Sequence, residues 1–349
     1  MTCRAGWTRE RTAYHSHMGI FSRKRGPAVD VSALRLDQAW ADAELDQAYA
    51  AVRGGDLAAG MALLKATPPN TGLRSVRSLG LGKATVGHSE QLELRLEALP
   101  GDADLLLWLG QTLVFEAWEV RSGLSAEYVS EPQFATFHDI LATAADVLNE
   151  AIGAAPEDAA PWEVLQWAAL GLQTSMEEKD AIFRSALERH PDSYAAHSGR
   201  VQVLAPKWSG LELVQLVDFG HQVVANARPG SALGAVAAQV INEVWVDVLT
   251  DSELSRLQRG TRFTREISNR REELLAARNK WWTADRAPQP EDISAHGAMA
   301  FALKAVGAKA AAMEHAALTQ GRIEVLPWGY SGSGDPLTTF ATAVTQHMA

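Results

Sequence analysis

A lysine and a tryptophan stand side by side after a proline, in the segment Pro206-Lys207-Trp208. An ammonium beside an indole ring can hold an anionic or an aromatic group, so Lys207 and Trp208 are candidates for such a contact. The alternative is a structural turn, because Pro206 disfavours helix at the residue before it and Gly210 permits a positive φ. We favour the turn, with the Trp208 ring buried between consecutive hairpins and Lys207 exposed.

Three arginines, Arg259, Arg262 and Arg265, recur at every third position of a charged segment. This spacing would suit an anion-binding stripe on one helix face. Arg262 and Glu266 also have the i, i+4 spacing of a helix-stabilising ion pair. Because charge runs usually mark a solvated face, we interpret the segment as an exposed helix surface.

Motifs for catalysis, nucleotide binding and metal binding are missing from the sequence. The ten histidines show no His-x-x-x-His spacing, which predicts no metal site. The glycine-rich run 78–85 resembles a phosphate loop but has Arg77 where that motif requires glycine. The single cysteine, Cys3, lies near the N-terminus, so we expect no cysteine catalysis. The sequence therefore predicts neither an enzyme nor a cofactor.

Four prolines divide the chain into regular units: Pro100, Pro156, Pro191 and Pro229, the last three separated by 35 and 38 residues. Apolar residues recur between them with a helical period, and no convincing strand pattern appears. A fixed period in this range indicates stacked helical hairpins. We predict an all-α protein, a right-handed α-solenoid over residues 31–345.

Two segments depart from the regular hairpin pattern. Residues 71–90 are predicted to be irregular, since their glycines suffice to make a loop. Residues 252–281 are predicted to form one long charged helix with Ser252 as its N-cap.

Composition and charge limit the functional classes. Apolar residues make up 47% of the chain and charged residues 21%, which argues against disorder. The net charge of −10 disfavours a general nucleic-acid binder, because such binding depends on phosphate neutralisation. The most apolar stretch, 232–249, is interrupted by Asn242, Glu243 and Asp247, so no transmembrane segment is predicted. One cysteine fits a reducing compartment, and we expect a cytoplasmic protein.

The first residues form a basic leader. Six arginines and lysines face one acid, Glu10, within residues 1–25, a net charge of +5. We predict a disordered tail over residues 1–30. A contact of this tail with anionic lipid or a partner is the alternative, and Met18 is a second candidate for the start.

The helical units resemble the tetratricopeptide-type repeat family. Ala144, Leu148, Ala151 and Pro156 match its second-helix alanine, large apolar residue, alanine and terminal proline. Phe183, Ala186 and Pro191 repeat three of these, whereas Lys179 departs. The first helices match at Leu109-Gly110 and at Trp162 and Leu165, with Gln166 in place of glycine; His197 and Arg200 depart in the following unit. About two repeats match well.

A narrower resemblance concerns the segment 204–210, which is similar to the Leu-x-Pro-Lys-Trp-x-Gly segment of an uncharacterised bacterial helical-repeat domain family. Ala117-Trp118-x-x-Arg121-x-Gly123 and Pro327-Trp328 are similar to it as well. The similarity spans roughly residues 40–345, judged by where these motifs fall. It implies a fold and no chemistry.

The tetratricopeptide resemblance implies a function. In that family the first helices line a concave surface that holds a peptide segment of another protein. Carrying over the register gives the groove candidates Asp104, Gln111, Glu163, Trp167, Ser198 and Gln202. We therefore expect an interaction scaffold with a protein or peptide partner. The alternative is an enzyme or small-molecule sensor with a closed pocket of convergent polar groups.

Overall fold

The structure, a computed structural model, describes residues 29–121, 130–330 and 335–348, with side chains as far as Gln346. All of the predicted N-terminal tail except residues 29 and 30 lies outside the described residues, as does Gly123. The regular secondary structure of the described chain is helical apart from two strands of two residues each. The prediction of an all-α protein is confirmed.

The helices are labelled in chain order. They are α1 Ala43–Arg53, α2 Leu57–Lys65, α3 Gly72–Thr85, α4 Ser89–Ala98, α5 Ala103–Arg121, α6 Glu131–Ala154, α7 Ala160–Gly171, α8 Met176–Arg189, α9 Tyr194–Leu204, α10 Pro206–Ser209, α11 Leu213–Asn226, α12 Val236–Thr250, α13 Arg256–Glu266, α14 Arg271–Trp281, α15 Asp292–Ala305, α16 Lys309–Leu318 and α17 Pro336–Thr342. The strands are β1 Arg35–Leu36 and β2 Arg322–Ile323. Short 3₁₀ turns cover Val31–Ala33, Ala232–Ala235, Ser268–Arg270 and Trp328–Tyr330, and a π-helical turn covers Ala343–Met348.

Side-chain caps explain where several helices begin. The carboxylates of Asp42 and Asp56 accept hydrogen bonds from the first backbone N–H groups of α1 and α2. Thr71 and Ser193 cap α3 and α9 in the same way. Each cap satisfies a donor that the helix itself leaves unpaired. At the end of α10, Gly210 has a φ of 65°, as the sequence predicts for this turn.

Small residues allow neighbouring helices to approach closely. A Cβ added at Gly110 of α5 would lie 2.6 Å from Leu148 of α6, and a Cβ at Gly60 of α2 would lie 2.3 Å from the ring of Trp108. Leu148 and Trp108 are fully buried. The Leu-Gly pair and the apolar residue of the second helix, which carry the tetratricopeptide resemblance, thus meet at one helix crossing.

Helices that follow one another along the chain also pack together, and the two ends of the chain meet. α5 packs on α3, α6 and α7; α7 packs on α8 and α9; α12 packs on α9 and α15. β1 then pairs in parallel with β2, with Arg35 opposite Arg322 and Leu36 opposite Ile323. Arg322 forms an ion pair of 2.5 Å with Asp46 of α1. The path of the helices therefore returns to its beginning.

The apolar core consists of two clusters. One contains buried residues between Trp40 and Ile182, and the other contains buried residues between Tyr194 and Ala343. Polar side chains connect the two halves: Ser193 at the start of α9 donates a hydrogen bond of 2.5 Å to Glu163 of α7. Buried polar groups need such partners, so these contacts fix how the halves meet.

Two segments differ from their predicted structure. Residues 72–85, predicted to be irregular, form helix α3, because Gly80 and Gly82 lie where Leu45 and Gln111 press against the helix backbone. The predicted single helix over 252–281 is divided into α13 and α14. The N-cap of α13 is Ser255, which forms a reciprocal capping box with Gln258, rather than Ser252.

One described segment, Ala232–Thr250, is long and apolar enough to cross a membrane by length and composition alone. Its mean hydropathy is 1.4, and 72% of the 18-residue window is buried inside the protein. A core helix passes the same test.

Candidate functional site

A cleft of about 900 Å³ lies where the first helices of the chain face the last ones. α3 supplies Leu73 and Val76 on one side, and the end of α14 supplies Trp282 on the other with the loop that follows it. Ile293 and His296 of α15 also line the cleft. The cleft exists because the chain ends come together, so it joins residues that are more than two hundred positions apart.

The arginines that line the cleft are paired with acids. Arg286 donates two hydrogen bonds, of 2.9 and 2.6 Å, to the carboxylate of Asp292. Arg278 lies 2.5 Å from Glu314 of α16, and Arg77 lies 2.7 Å from Asp42. Within each pair the two charges neutralise each other. The cleft therefore offers shape, apolar surface and hydrogen bonding rather than a concentrated charge.

Two histidines form a buried pair beside the cleft. The Nδ1 atoms of His296 in α15 and His315 in α16 are 2.9 Å apart, and Arg278 donates from Nε to Nε2 of His315 at 2.9 Å. Burial lowers the pKa of His296 to about 4. Burial, together with the nearby His296 and Arg278, lowers the pKa of His315 to about 2. Both imidazoles are therefore neutral near pH 7.

Two tryptophans enclose the histidine pair. The Trp281 ring is fully buried, with its centroid 4.9 Å from that of His296. The partly buried Trp282 meets His296 edge to face at 4.5 Å, and the guanidinium of Arg286 lies 5.0 Å from the centroid of the Trp282 ring. A flat, partly open indole ring thus stands next to the histidine that lines the cleft.

Three of the six groove candidates make contacts within the fold: Asp104, Gln111 and Glu163. Asp104 accepts a hydrogen bond of 2.6 Å from Arg74 of α3. Glu163 is buried and accepts from the hydroxyls of Ser75 and Ser193 at 2.6 and 2.5 Å. Gln111 is buried at the crossing of α3 and α5. Gln111 and Glu163 therefore offer no open surface to a partner, because the helix faces that bear them pack against neighbouring helices.

The other three groove candidates lie on α7 and α9. Trp167 is partly buried and packs against the N-terminal core cluster. Ser198 accepts a hydrogen bond of 2.8 Å from Gln239 of α12. Gln202 donates at 2.7 Å to Glu243, also of α12. Ser198 and Gln202 thus hold α9 against α12.

Lys207 is an exposed residue, as expected, but its side chain is only 26% exposed and joins a network with buried groups. Its ammonium lies 2.7 Å from the buried carboxylate of Glu243 and 2.7 Å from the hydroxyl of Tyr330. Tyr330 donates to Glu243 at 2.6 Å. Burial lowers the pKa of Lys207, while the charge of Glu243 opposes that change. The partners of Lys207, a carboxylate and a phenol, thus belong to the same chain, in keeping with the structural role favoured for this segment.

Trp208 is partly buried rather than fully buried. Its ring meets Trp118 of α5 edge to face at 5.4 Å, and the guanidinium of Arg121 lies 4.6 Å from the ring centroid. The residue therefore contacts a helix from the other core cluster, whereas the sequence led us to expect it between consecutive hairpins.

A buried acid near the cleft was not identified from the sequence. Glu291 precedes α15, and a Cβ added at Gly72 would lie 1.7 Å from its Oε1 atom. Burial raises the pKa of Glu291 to about 7, and the charge of Glu163 adds to that effect. The Gly72–Glu291 contact joins the start of α3 to the start of α15.

Sequence inspection also missed the histidine pair. His296 and His315 are 19 residues apart, with no spacing typical of a shared helix face. The available signal was the turn at Gly307, since His296 lies about three helical turns before it and His315 about two turns after it on the arms of one hairpin. Among residues 29–121, 130–330 and 335–348, no group of three His, Cys, Asp or Glu is placed to hold a metal ion.

A scan against protein-family models and a search of curated proteins found no match for this chain.

Proposed function

We propose that this chain is a binding module that holds an extended peptide segment of a partner protein in the cleft between α3 and α15. The observation that carries the proposal is the cleft itself, in which apolar side chains alternate with charge pairs that are already neutralised. Peptide segments are recognised by pockets for side chains together with hydrogen bonds to the main chain. Because Glu163 and Gln111 are buried against neighbouring helices, we assign the groove to the cleft and not to the helix faces that bear these two residues.

The chemistry of the cleft supports binding more than catalysis. Its lining contains no cysteine, serine or lysine among the described residues. The carboxylates of Asp42, Asp292 and Glu314 are each held by an arginine, so none is poised as a free base. We place this scaffold in the cytoplasm, in keeping with the single cysteine.

The second candidate function is a small-molecule sensor or an enzyme. It is favoured by the perturbed pKa values of His296 and Glu291, because such groups are common at active sites. The cleft volume also falls within the range of small-ligand pockets. Buried structural networks perturb pKa values as well, so we rank this function below peptide binding.

We also propose that the hairpins follow a right-handed, tetratricopeptide-like path whose two ends are joined. Contacts between successive helix pairs support the stacking, and the pairing of β1 with β2 supports the joined ends. In an open solenoid each repeat contacts only its neighbours. Joining the ends converts what would be an open groove into a bounded cleft.

The test is selection from a displayed library of random 12-residue peptides with the full chain as bait. Trp282→Ala removes the aromatic wall, and Trp245→Ala is the matched control, a second partly buried tryptophan that packs on Phe301. We expect the selection to enrich peptides whose binding weakens at least about tenfold with Trp282→Ala, because one well-packed aromatic contact is lost. Binding of the same peptides should be unchanged with Trp245→Ala. Peptides that bind both variants equally, or the absence of any enriched peptide, would contradict the proposal.

A further inference from the structure

The protons on the histidine pair are fixed by one arginine. A guanidinium can only donate, so Nε2 of His315, which receives the Nε–H of Arg278, must be without a proton. A neutral His315 therefore carries its proton on Nδ1 and donates it to Nδ1 of His296, 2.9 Å away. That leaves the proton of a neutral His296 on Nε2.

Nε2 of His296 is an unused donor in a buried side chain. The residue is only 2% exposed, yet it lines the cleft. Its Nδ1 is taken by His315, and Nε2 has no partner among the residues that the structure describes. With Nδ1 taken, this N–H is the donor that His296 can offer to a molecule in the cleft.

The groups around this donor favour a neutral acceptor. Arg278 of α14 is paired with Glu314 of α16, and Arg286 of the intervening loop is paired with Asp292 of α15. Both arginines that line the cleft beside His296 are thus already paired with acids, so they attract a further carboxylate less strongly. A carbonyl oxygen needs only a donor and tolerates the adjacent indole ring of Trp282.

We propose that Nε2–H of His296 binds a main-chain carbonyl of the captured peptide and so sets the register of that peptide in the cleft. This inference rests on the proposed function. Arg278 and His315 act as positioning residues, because they hold His296 in the tautomer that donates. A ligand without an acceptor at this position would bind about 10- to 100-fold more weakly, since the donor would stay unpaired.

The tautomers can be tested without any ligand. Long-range ¹H–¹⁵N correlation spectra of the full chain distinguish the protonated ring nitrogen of each histidine, with His296→Phe and His315→Phe providing the assignments. We expect the proton on Nδ1 of His315 and on Nε2 of His296. Finding His296 protonated on Nδ1 would overturn the inference, whatever the outcome of the peptide selection.

The acceptor preference is tested with two probes that differ in charge. N-acetyl-phenylalanine amide offers neutral carbonyls, and N-acetyl-phenylalanine offers a carboxylate. We expect the amide to shift the His296 Nε2–H resonance at lower concentration than the acid does. A stronger response to the carboxylate, or no response to either probe, would contradict the proposal.

The third test measures how the selected peptides bind to histidine variants. His296→Phe keeps the ring and removes the donor; His138→Phe is the matched control, a partly buried histidine on α6 that contacts Phe137. We expect His296→Phe to weaken binding at least about tenfold and His138→Phe to leave it unchanged. Peptides that depend on Trp282 but bind His296→Phe normally would leave the proposed function standing and overturn this inference alone.

Discussion

Lys207 shows how a residue that looks exposed in sequence acquires a structural role. Its partners Glu243 and Tyr330 lie far along the chain, and only folding brings their side chains to its ammonium. Glu243 is 3% exposed and depends on that cation for its charge compensation. The sequence does not identify these partners, because local patterns carry no information about distant packing.

Replacing Lys207 with alanine should destabilise the fold, whereas the sequence alone suggests a neutral change. The substitution leaves a buried carboxylate without its counter-ion, which costs about 3–5 kcal/mol for a fully buried pair and somewhat less here because 26% of the lysine side chain is exposed. Urea unfolding measures the change, with the exposed Lys309→Ala as control. Equal unfolding midpoints for Lys207→Ala and the parent would show that the network is not structural.

Glu291 should make stability depend on pH. Its pKa is raised to about 7 from an ordinary value of 4.5. The folded state therefore holds a proton that the unfolded state releases, so the contribution of this group is fully present below about pH 4.5 and is lost as the pH rises through about 7.

Glu291→Gln removes that titration. The variant should gain stability relative to the parent as the pH rises from 5 to 8, and urea midpoints at four pH values measure the difference. The histidine pair has the opposite effect, losing stability as the pH falls from about 6.5 toward 4. This effect is the same in the variant and in the parent, so it cancels when the two are compared. A difference between variant and parent that does not change with pH would contradict the raised pKa.

Some helix boundaries could be predicted from the sequence and others could not. The boundaries near Pro156 and Pro191 were predictable, because proline is excluded from helix interiors and the apolar period resumes after it. Helix α3 was not, because Gly80 and Gly82 resemble loop residues until their packing is known. Because these glycines have no side chain, Leu45 and Gln111 can pack close to the backbone of α3. Tertiary contact therefore overrides the low helix propensity of glycine.

Two glycines on adjoining helices provide a matched test of that packing. Gly110→Ala should destabilise by about 1–3 kcal/mol, because its Cβ would press on the fully buried Leu148. Gly153→Ala in α6 should stabilise by up to about 1 kcal/mol, since nothing lies within 4 Å of the new Cβ and alanine favours helix. Thermal unfolding of both variants measures the contrast. Shifts of the same sign would show that the α5–α6 crossing is looser than described.

The joined ends give the molecule its cleft. Strands of two residues have little stability of their own, so the pairing of β1 with β2 depends on its surroundings. Arg322 binds Asp46, and Lys83 lies 3.0 Å from Asp37, which places α1, α3 and β2 around the junction. Repeat spacing predicts stacking of neighbours, and it contains no signal for the meeting of the first and last units. The candidate site at that junction was for this reason invisible in the sequence.

The most direct measurement is disulfide trapping of the paired strands. Leu36 and Ile323 are partners across β1 and β2, and strands in a sheet lie about 4.8 Å apart, within the reach of a disulfide. Cysteines are introduced at 36 and 323 in a Cys3→Ser background; the control pairs 36 with the exposed position 94. We expect rapid cross-linking of 36 with 323 under native conditions, with peptide binding retained, and none in the control. Failure of 36 and 323 to cross-link would contradict the joined ends and the cleft that depends on them.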